Sequence, residues 1–97
     1  MEYKLEYSKQ AQKDARLLER AGLDKKAKEL LSVIKRAPFE QPYEKLVRDL
    51  KGCYSRRINR HHRIVYEILP NNENLKNENN EPYMGIVYII RMWTHYE

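Results

Sequence analysis

One stretch of this chain has almost no polar face. From Gly85 to Trp93 it reads Gly-Ile-Val-Tyr-Ile-Ile-Arg-Met-Trp, with Ile86, Val87, Tyr88, Ile89 and Ile90 in succession. Such a run cannot alternate between core and water, so it predicts a central strand covered on both faces. The remaining residues must then supply neighbouring strands and a cover. Met1, Tyr3, Leu5 and Tyr7 alternate with Glu2, Lys4 and Glu6, which is the period of a half-buried strand. Ser8 has the chemistry of a helix N-cap. Ala11, Ala15 and Leu18 follow at helical spacing, with Leu17 widening the apolar face. Gly22 suits the left-handed position just past a helix end. Asp24 reads as the cap of a second helix with the stripe Ala27, Leu30, Leu31 and Ile34. Lys35 and Arg36 complement its negative end, and Pro38 stops it. So short a connection makes the two helices an antiparallel hairpin.

After Pro42 the pattern turns to strands. Residues 46–50 are a short candidate, Gly52 marks a turn, and residues 53–58 and 62–69 are further candidates. In the last of these, Ile64, Tyr66 and Ile68 share one face and Arg63, Val65 and Glu67 the other. Residues 70–82 are rich in Asn and Glu and read as a mobile loop. The expected fold class is α+β in a single domain over residues 1–97. An N-terminal strand and a two-helix antiparallel hairpin pack on a mainly antiparallel twisted sheet.

Bulk properties narrow the setting. Hydrophobic residues at 41% and charged residues at 34% suit a soluble globular chain. No apolar run approaches the roughly 20 residues that span a bilayer, so no membrane role is expected. The start of the chain lacks the basic-then-apolar pattern of a signal peptide, and the single Cys53 cannot form an internal disulfide. A cytoplasmic location follows as the expectation. The net charge of +5 is concentrated between Glu44 and Arg63. Seven basic residues there (Lys45, Arg48, Lys51, Arg56, Arg57, Arg60 and Arg63) outnumber two acids, and the rest of the chain cancels. A local basic patch on a neutral body fits a phosphate-rich partner.

The chemistry open to such a patch is cleavage of RNA through its own 2′-OH. A base removes the hydroxyl proton, the oxygen attacks the adjacent phosphorus, and an acid protonates the departing 5′-oxygen while cations steady the phosphoryl charge. Glu44, His95 and the arginines 56, 57 and 63 supply those types, with Tyr96 as a further donor or stacking platform. A His-Tyr pair at a chain end makes sense if a final strand carries it into a basic cleft. On residue types alone, the same set also fits a solvated charged face. His61 and His62 have no Cys partner at ligand spacing, and adjacent strand residues point oppositely. No metal and no other cofactor is therefore expected.

The order of the pieces is more specific. Arg36-Ala37-Pro38-Phe39-Glu40 is followed by Leu50-Lys51-Gly52-Cys53-Tyr54-Ser55-Arg56-Arg57-Ile58, then His62-Arg63-Ile64-Val65-Tyr66, then the terminal His95-Tyr96. In this order the chain resembles, nearly end to end, the YoeB/Txe branch of the RelE toxin superfamily. The resemblance implies the toxin of a type II toxin–antitoxin pair that enters the ribosomal A site and cleaves mRNA. It implies Glu44 as general base, Arg63 as the arginine facing the pentacovalent phosphate, His95 as general acid and Tyr96 completing the site. Arg57 is implied as a supporting phosphate contact. Lys45, Arg48, Lys51, Arg56 and Arg60 are the further RNA-binding candidates, with Arg56 the weaker of the Arg-Arg pair because it alternates to the other face. Implied partners are a YefM/Axe-like antitoxin acting through its C-terminal segment, the ribosome and mRNA, and a second copy of the chain. The sequence departs from the family where Cys53 replaces the first of two aromatics, in the long 70–84 loop, and in Glu97 after the His-Tyr pair. Two other readings remain open: a gyrase-binding toxin of the ParE branch, which shares the fold and cuts nothing, and a plain RNA-binding module.

Overall fold

A computed structural model describes residues 2–40, 42–45 and 52–94. Strand β1 (Lys4–Tyr7) leads into helix α1 (Lys9–Arg20) and helix α2 (Asp24–Arg36). Strands β2 (Glu44–Lys45), β3 (Tyr54–Arg57), β4 (Arg63–Leu69) and β5 (Ile86–Thr94) follow. Together they form a five-stranded mixed sheet in the order β1-β5-β4-β3-β2, in which only β1 and β5 run parallel.

The local chemistry explains the boundaries. Ser8 Oγ accepts from the Ala11 amide at 2.9 Å, which is the N-cap expected of it. At the other end of α1, Gly22 adopts φ +74°. Its amide bonds to Glu19 and that of Leu23 bonds to Leu18, closing a Schellman turn that a β-carbon would strain. The second cap differs from expectation. Asp24 is the first helical residue of α2, and Leu23 precedes it without a side-chain cap bond. Asp24 acts there through its charge at the positive end of the helix.

Both helices lie on one face of the sheet. Ala11, Leu18, Ala27 and Ile34 meet Ile64, Tyr66, Val87, Ile89 and Met92 in one buried cluster. Residues 86–90 do form the long strand that pairs on both edges, but they are not covered equally on both faces. Val87 and Ile89 are fully buried, whereas Ile86, Tyr88 and Ile90 are half-buried. The helices cover only one side of β5, and aromatic and branched side chains tolerate the half-open side.

One further expectation changes, while the strand candidate at residues 46–50 lies outside the described residues. The segment after Pro70, expected as a mobile loop, is framed by its asparagines. Asn71 donates to the carbonyls of Leu75 and Tyr83 at 3.0 Å and accepts from the Leu75 amide. Asn77 Oδ1 accepts from the amides of Asn79 and Glu81, and Lys76 bridges to Pro82. Asparagine mimics a backbone turn through its side chain, so an Asn-rich stretch can order itself without an apolar core.

Candidate active site

Residues directly opposite one another in a sheet share a face. Glu44 on β2 lies opposite Ser55 on β3, Arg57 lies two residues further along, and Arg57 lies opposite Arg63 on β4. This register brings three of the sequence candidates together. Arg63 Nη1 donates to Glu44 Oε2 at 2.9 Å, and Arg57 Nε lies 3.5 Å from Glu44 Oε1. Their environments differ. The Arg63 side chain is only 13% exposed, against 57% for Arg57, so Arg63 is the fixed member and Arg57 the free-reaching one. Arg63 is also opposite Thr94, the last described residue of β5. The chain continues from there into His95 and Tyr96, which lie outside the described residues, as do Arg48 and Lys51. Lys45 and Arg60 are exposed, on β2 and in the β3–β4 turn respectively.

Arg56 is corrected. Expected among the RNA-binding residues, it is 4% exposed and faces the helices. Its Nη2 donates to the carbonyls of Ala37 and Glu40, and its Nε reaches the Tyr66 hydroxyl at 3.4 Å. Tyr66 in turn donates to the Pro38 carbonyl at 2.8 Å. The carbonyls of Ala37, Pro38 and Glu40 after α2 thus accept from a buried cation and a buried phenol. Burial pushes the Tyr66 phenol above its ordinary pKa, even though the Arg56 bond favours its ionised form. The pair fixes the Ala37–Glu40 segment that leads towards Glu44. Tyr54 fixes it further by edge contacts with Phe39 and Tyr43, at ring distances of 5.6 and 5.4 Å.

Two features beside the site were not among the sequence candidates. His62 stacks on Trp93 with ring centroids 3.9 Å apart, and its Nδ1 donates to the Trp93 carbonyl at 2.7 Å. That bond puts the proton on Nδ1 and ties the β3–β4 turn to the end of β5. The expectation that His61 and His62 diverge on a strand is also adjusted, since both precede β4 in the turn. Second, a cavity of about 180 Å³ opens beside Glu44 between Pro42, Tyr43 and Arg57. Ser55 Oγ lines it, buried and without a hydrogen-bond partner among the described residues. A signal for the stack was present in the aromatic before Thr94, but only the register reveals its partner.

The site is a carboxylate held between two guanidiniums at the end of a sheet that carries two helices on one face. The chain belongs to the YoeB-like toxins of bacterial type II toxin–antitoxin systems, whose family model matches residues 5–96. Among solved structures it is similar to a YoeB/ParE toxin from Agrobacterium tumefaciens, with TM-score 0.73 and 27% identity over 96% of this chain and 99% of that one. It is also similar to the YoeB dimer from Staphylococcus aureus, with TM-score 0.68 and 30% identity over 97% and 98%. The YoeB–YefM complex of the same organism matches with TM-score 0.67, also at 30% identity over 97% and 98%. A YafQ mutant from E. coli, at 19% identity and TM-score 0.68 over 96% and 93%, shares the fold. No curated protein sequence matches the chain. Among the described residues, no helix is long and apolar enough to cross a membrane.

Proposed function

We propose that this toxin is a ribosome-dependent endoribonuclease that cleaves mRNA in the A site without a metal ion. The observation that carries the reading is the 2.9 Å contact between Glu44 and a largely buried Arg63, opposite the strand residue that immediately precedes His95. In this mechanism Glu44 takes the proton of the 2′-OH. The O2′–P bond forms and the P–O5′ bond breaks, and His95 protonates the departing 5′-oxygen. The products are a 2′,3′-cyclic phosphate and a 5′-hydroxyl end. Tyr96 completes the site.

The free protein prepares this step. Arg63 and Arg57 both engage Glu44 before any substrate arrives. An incoming phosphate carries charge of the same sign as the carboxylate and can accept two parallel bonds from a guanidinium. It therefore draws the arginines onto its own oxygens and leaves the carboxylate free to accept a proton. Arg63, being fixed, is the one placed to stabilise the pentacovalent phosphate. Arg57, Lys45, Arg48, Lys51 and Arg60 serve as backbone contacts on the ribosome and mRNA. The S. aureus YoeB–YefM complex supports an antitoxin partner for this chain, expected to cover the basic site with its C-terminal segment. The S. aureus dimer supports self-association.

Primer extension on cellular mRNA after induction tests the reading. Wild type should give discrete cuts in translated regions, and Glu44→Ala and His95→Ala should give none while still being made. Growth arrest without cuts, together with loss of DNA supercoiling activity, would instead assign the gyrase-binding alternative.

A further inference from the structure

Helix α1 carries one residue that its amphipathic pattern does not explain. Asp14 lies on the buried face between Ala11 and Leu18 and is wholly inaccessible to solvent. A buried carboxylate is costly unless it is both paired and hydrogen-bonded. Asp14 is both. Arg91 Nε donates to Oδ2 at 2.8 Å, with Arg91 Nη2 3.5 Å from Oδ1. The Met92 amide donates to Oδ2 at 3.0 Å, and Gln10 Nε2 donates to Oδ1 at 3.0 Å.

These contacts fall where β5 runs past the end of β1. β1 pairs with β5 from Ile86 to Ile89, so beyond Ile89 that edge of β5 has no strand beside it among the described residues. On the other edge, the pairing with β4 shifts register twice, between Tyr66 and Val65 and again between Val65 and Arg63. An unpaired backbone group inside a protein needs a partner. Helix α1 provides it in place of a strand: Ser8 Oγ donates to the Ile90 carbonyl at 2.7 Å, and Asp14 accepts from the Met92 amide. The side chain of Arg91 is drawn to the same carboxylate. The last turn of the strand's path is therefore set by α1 as well as by the sheet.

We propose that Asp14 is a positioning residue for the cleavage reaction: by holding Arg91 and the Met92 amide it fixes the course of β5 three residues before His95. The inference rests on His95 being the general acid. Misplacing a reacting group by about 1 Å can cost on the order of 10²-fold in rate. Asp14 itself touches no substrate, so its loss should alter the chemical step and leave binding alone.

The test compares wild type, Asp14→Asn, Arg91→Lys and His95→Ala in single-turnover cleavage on mRNA-programmed ribosomes. Ribosome affinity and amide hydrogen exchange are measured on the same proteins. For Asp14→Asn the expected result is a cleavage rate at least tenfold lower, with affinity within twofold of wild type. Exchange should quicken at Met92 to His95 and stay slow at Ile64 and Val87. Should Asp14→Asn not fold, Arg91→Lys decides the matter. It keeps a charge on Asp14 and removes one prong of the clamp, and it is expected to lose threefold or more in rate at unchanged affinity. Wild-type rate and protection in a folded variant, or rate and affinity falling together, would overturn the proposal. A fully active His95→Ala would remove the assignment of the acid, while the exchange data would still decide whether Asp14 orders the strand.

Discussion

Arg56 and Arg57 are adjacent, equally basic and opposite in role, so replacing each by Met separates a buried clamp from a surface contact. Arg56 donates to the carbonyls of Ala37 and Glu40 from a position that is 4% exposed. Hydrogen bonds involving a charged group contribute about 1.5–3 kcal/mol each. Removing the cation also relieves its desolvation, a term of several kcal/mol that offsets part of the loss. The net cost of Arg56→Met is then about 2–4 kcal/mol, from a total of about 5–15 for a domain of this size. At about 4–8 °C per kcal/mol, thermal unfolding should drop by roughly 10–30 °C. Arg57 is more than half exposed, and its ion pair with Glu44 contributes at most about 1 kcal/mol. Its replacement should barely move the melting temperature. Ribosome binding should respond in the reverse order. Each phosphate contact contributes about 0.7–0.9 to the slope of log affinity against log salt. Arg57→Met should flatten that slope by about one contact, and Arg56→Met should leave it unchanged at a temperature where the variant is folded. Scanning calorimetry and a salt titration of ribosome binding read both quantities. An Arg56→Met protein that melts with wild type and shows the flatter slope would refute the reasoning.

Other perturbations follow from the same geometry. Arg63→Lys keeps a charge near Glu44 but loses the planar two-pronged donor, so single-turnover cleavage should fall at least tenfold while ribosome affinity changes little; near-wild-type turnover would argue against a transition-state role. Burial alone would raise the pKa of Asp14, but the bonds from Arg91, the Met92 amide and Gln10 outweigh it and hold the carboxyl below its ordinary value. Its stabilisation is complete above the unfolded-state pKa of about 3.9 and is lost as pH falls through the lower folded value, so the stability gap between wild type and Asp14→Asn should hold steady above about pH 5 and shrink as pH falls below about 4 in urea titrations; a constant gap would contradict this. Bound antitoxin should slow amide exchange from Arg91 to the chain end; unchanged exchange there with full loss of cleavage would place inhibition at ribosome entry.

The elements were legible because each is written in local periodicity. Alternation at residues 3–7, the Ala and Leu spacing after Ser8, and Gly22 and Pro38 as stops need no tertiary information. The Glu44–Arg57–Arg63 cluster was reachable through motif order, and the sheet register then explains why residues 13 and 19 apart converge. What was hidden depends on long-range geometry. A period of two puts Arg56 on the face opposite Arg57, but only the position of α2 shows that this face offers three carbonyls to a cation and a phenol. Asp14 reads as a polar residue on a helix until β5 runs past the end of β1 and leaves an amide to be satisfied. The Asn-rich loop looked structureless because its order comes from side chains imitating backbone, which leaves no apolar pattern to read.

The proposed reaction requires the 2′-OH of the mRNA as nucleophile, activated at Glu44 and completed by His95. Its most direct test uses mRNA bearing a single 2′-deoxynucleotide on the 5′ side of the cut, placed in the A site of programmed ribosomes, with end-group analysis of the products. All-ribose mRNA should yield a 2′,3′-cyclic phosphate and a 5′-hydroxyl, and the deoxy-substituted message should be bound but left intact. Cleavage of the deoxy-substituted message at that position, or products carrying a 5′-phosphate, would contradict it.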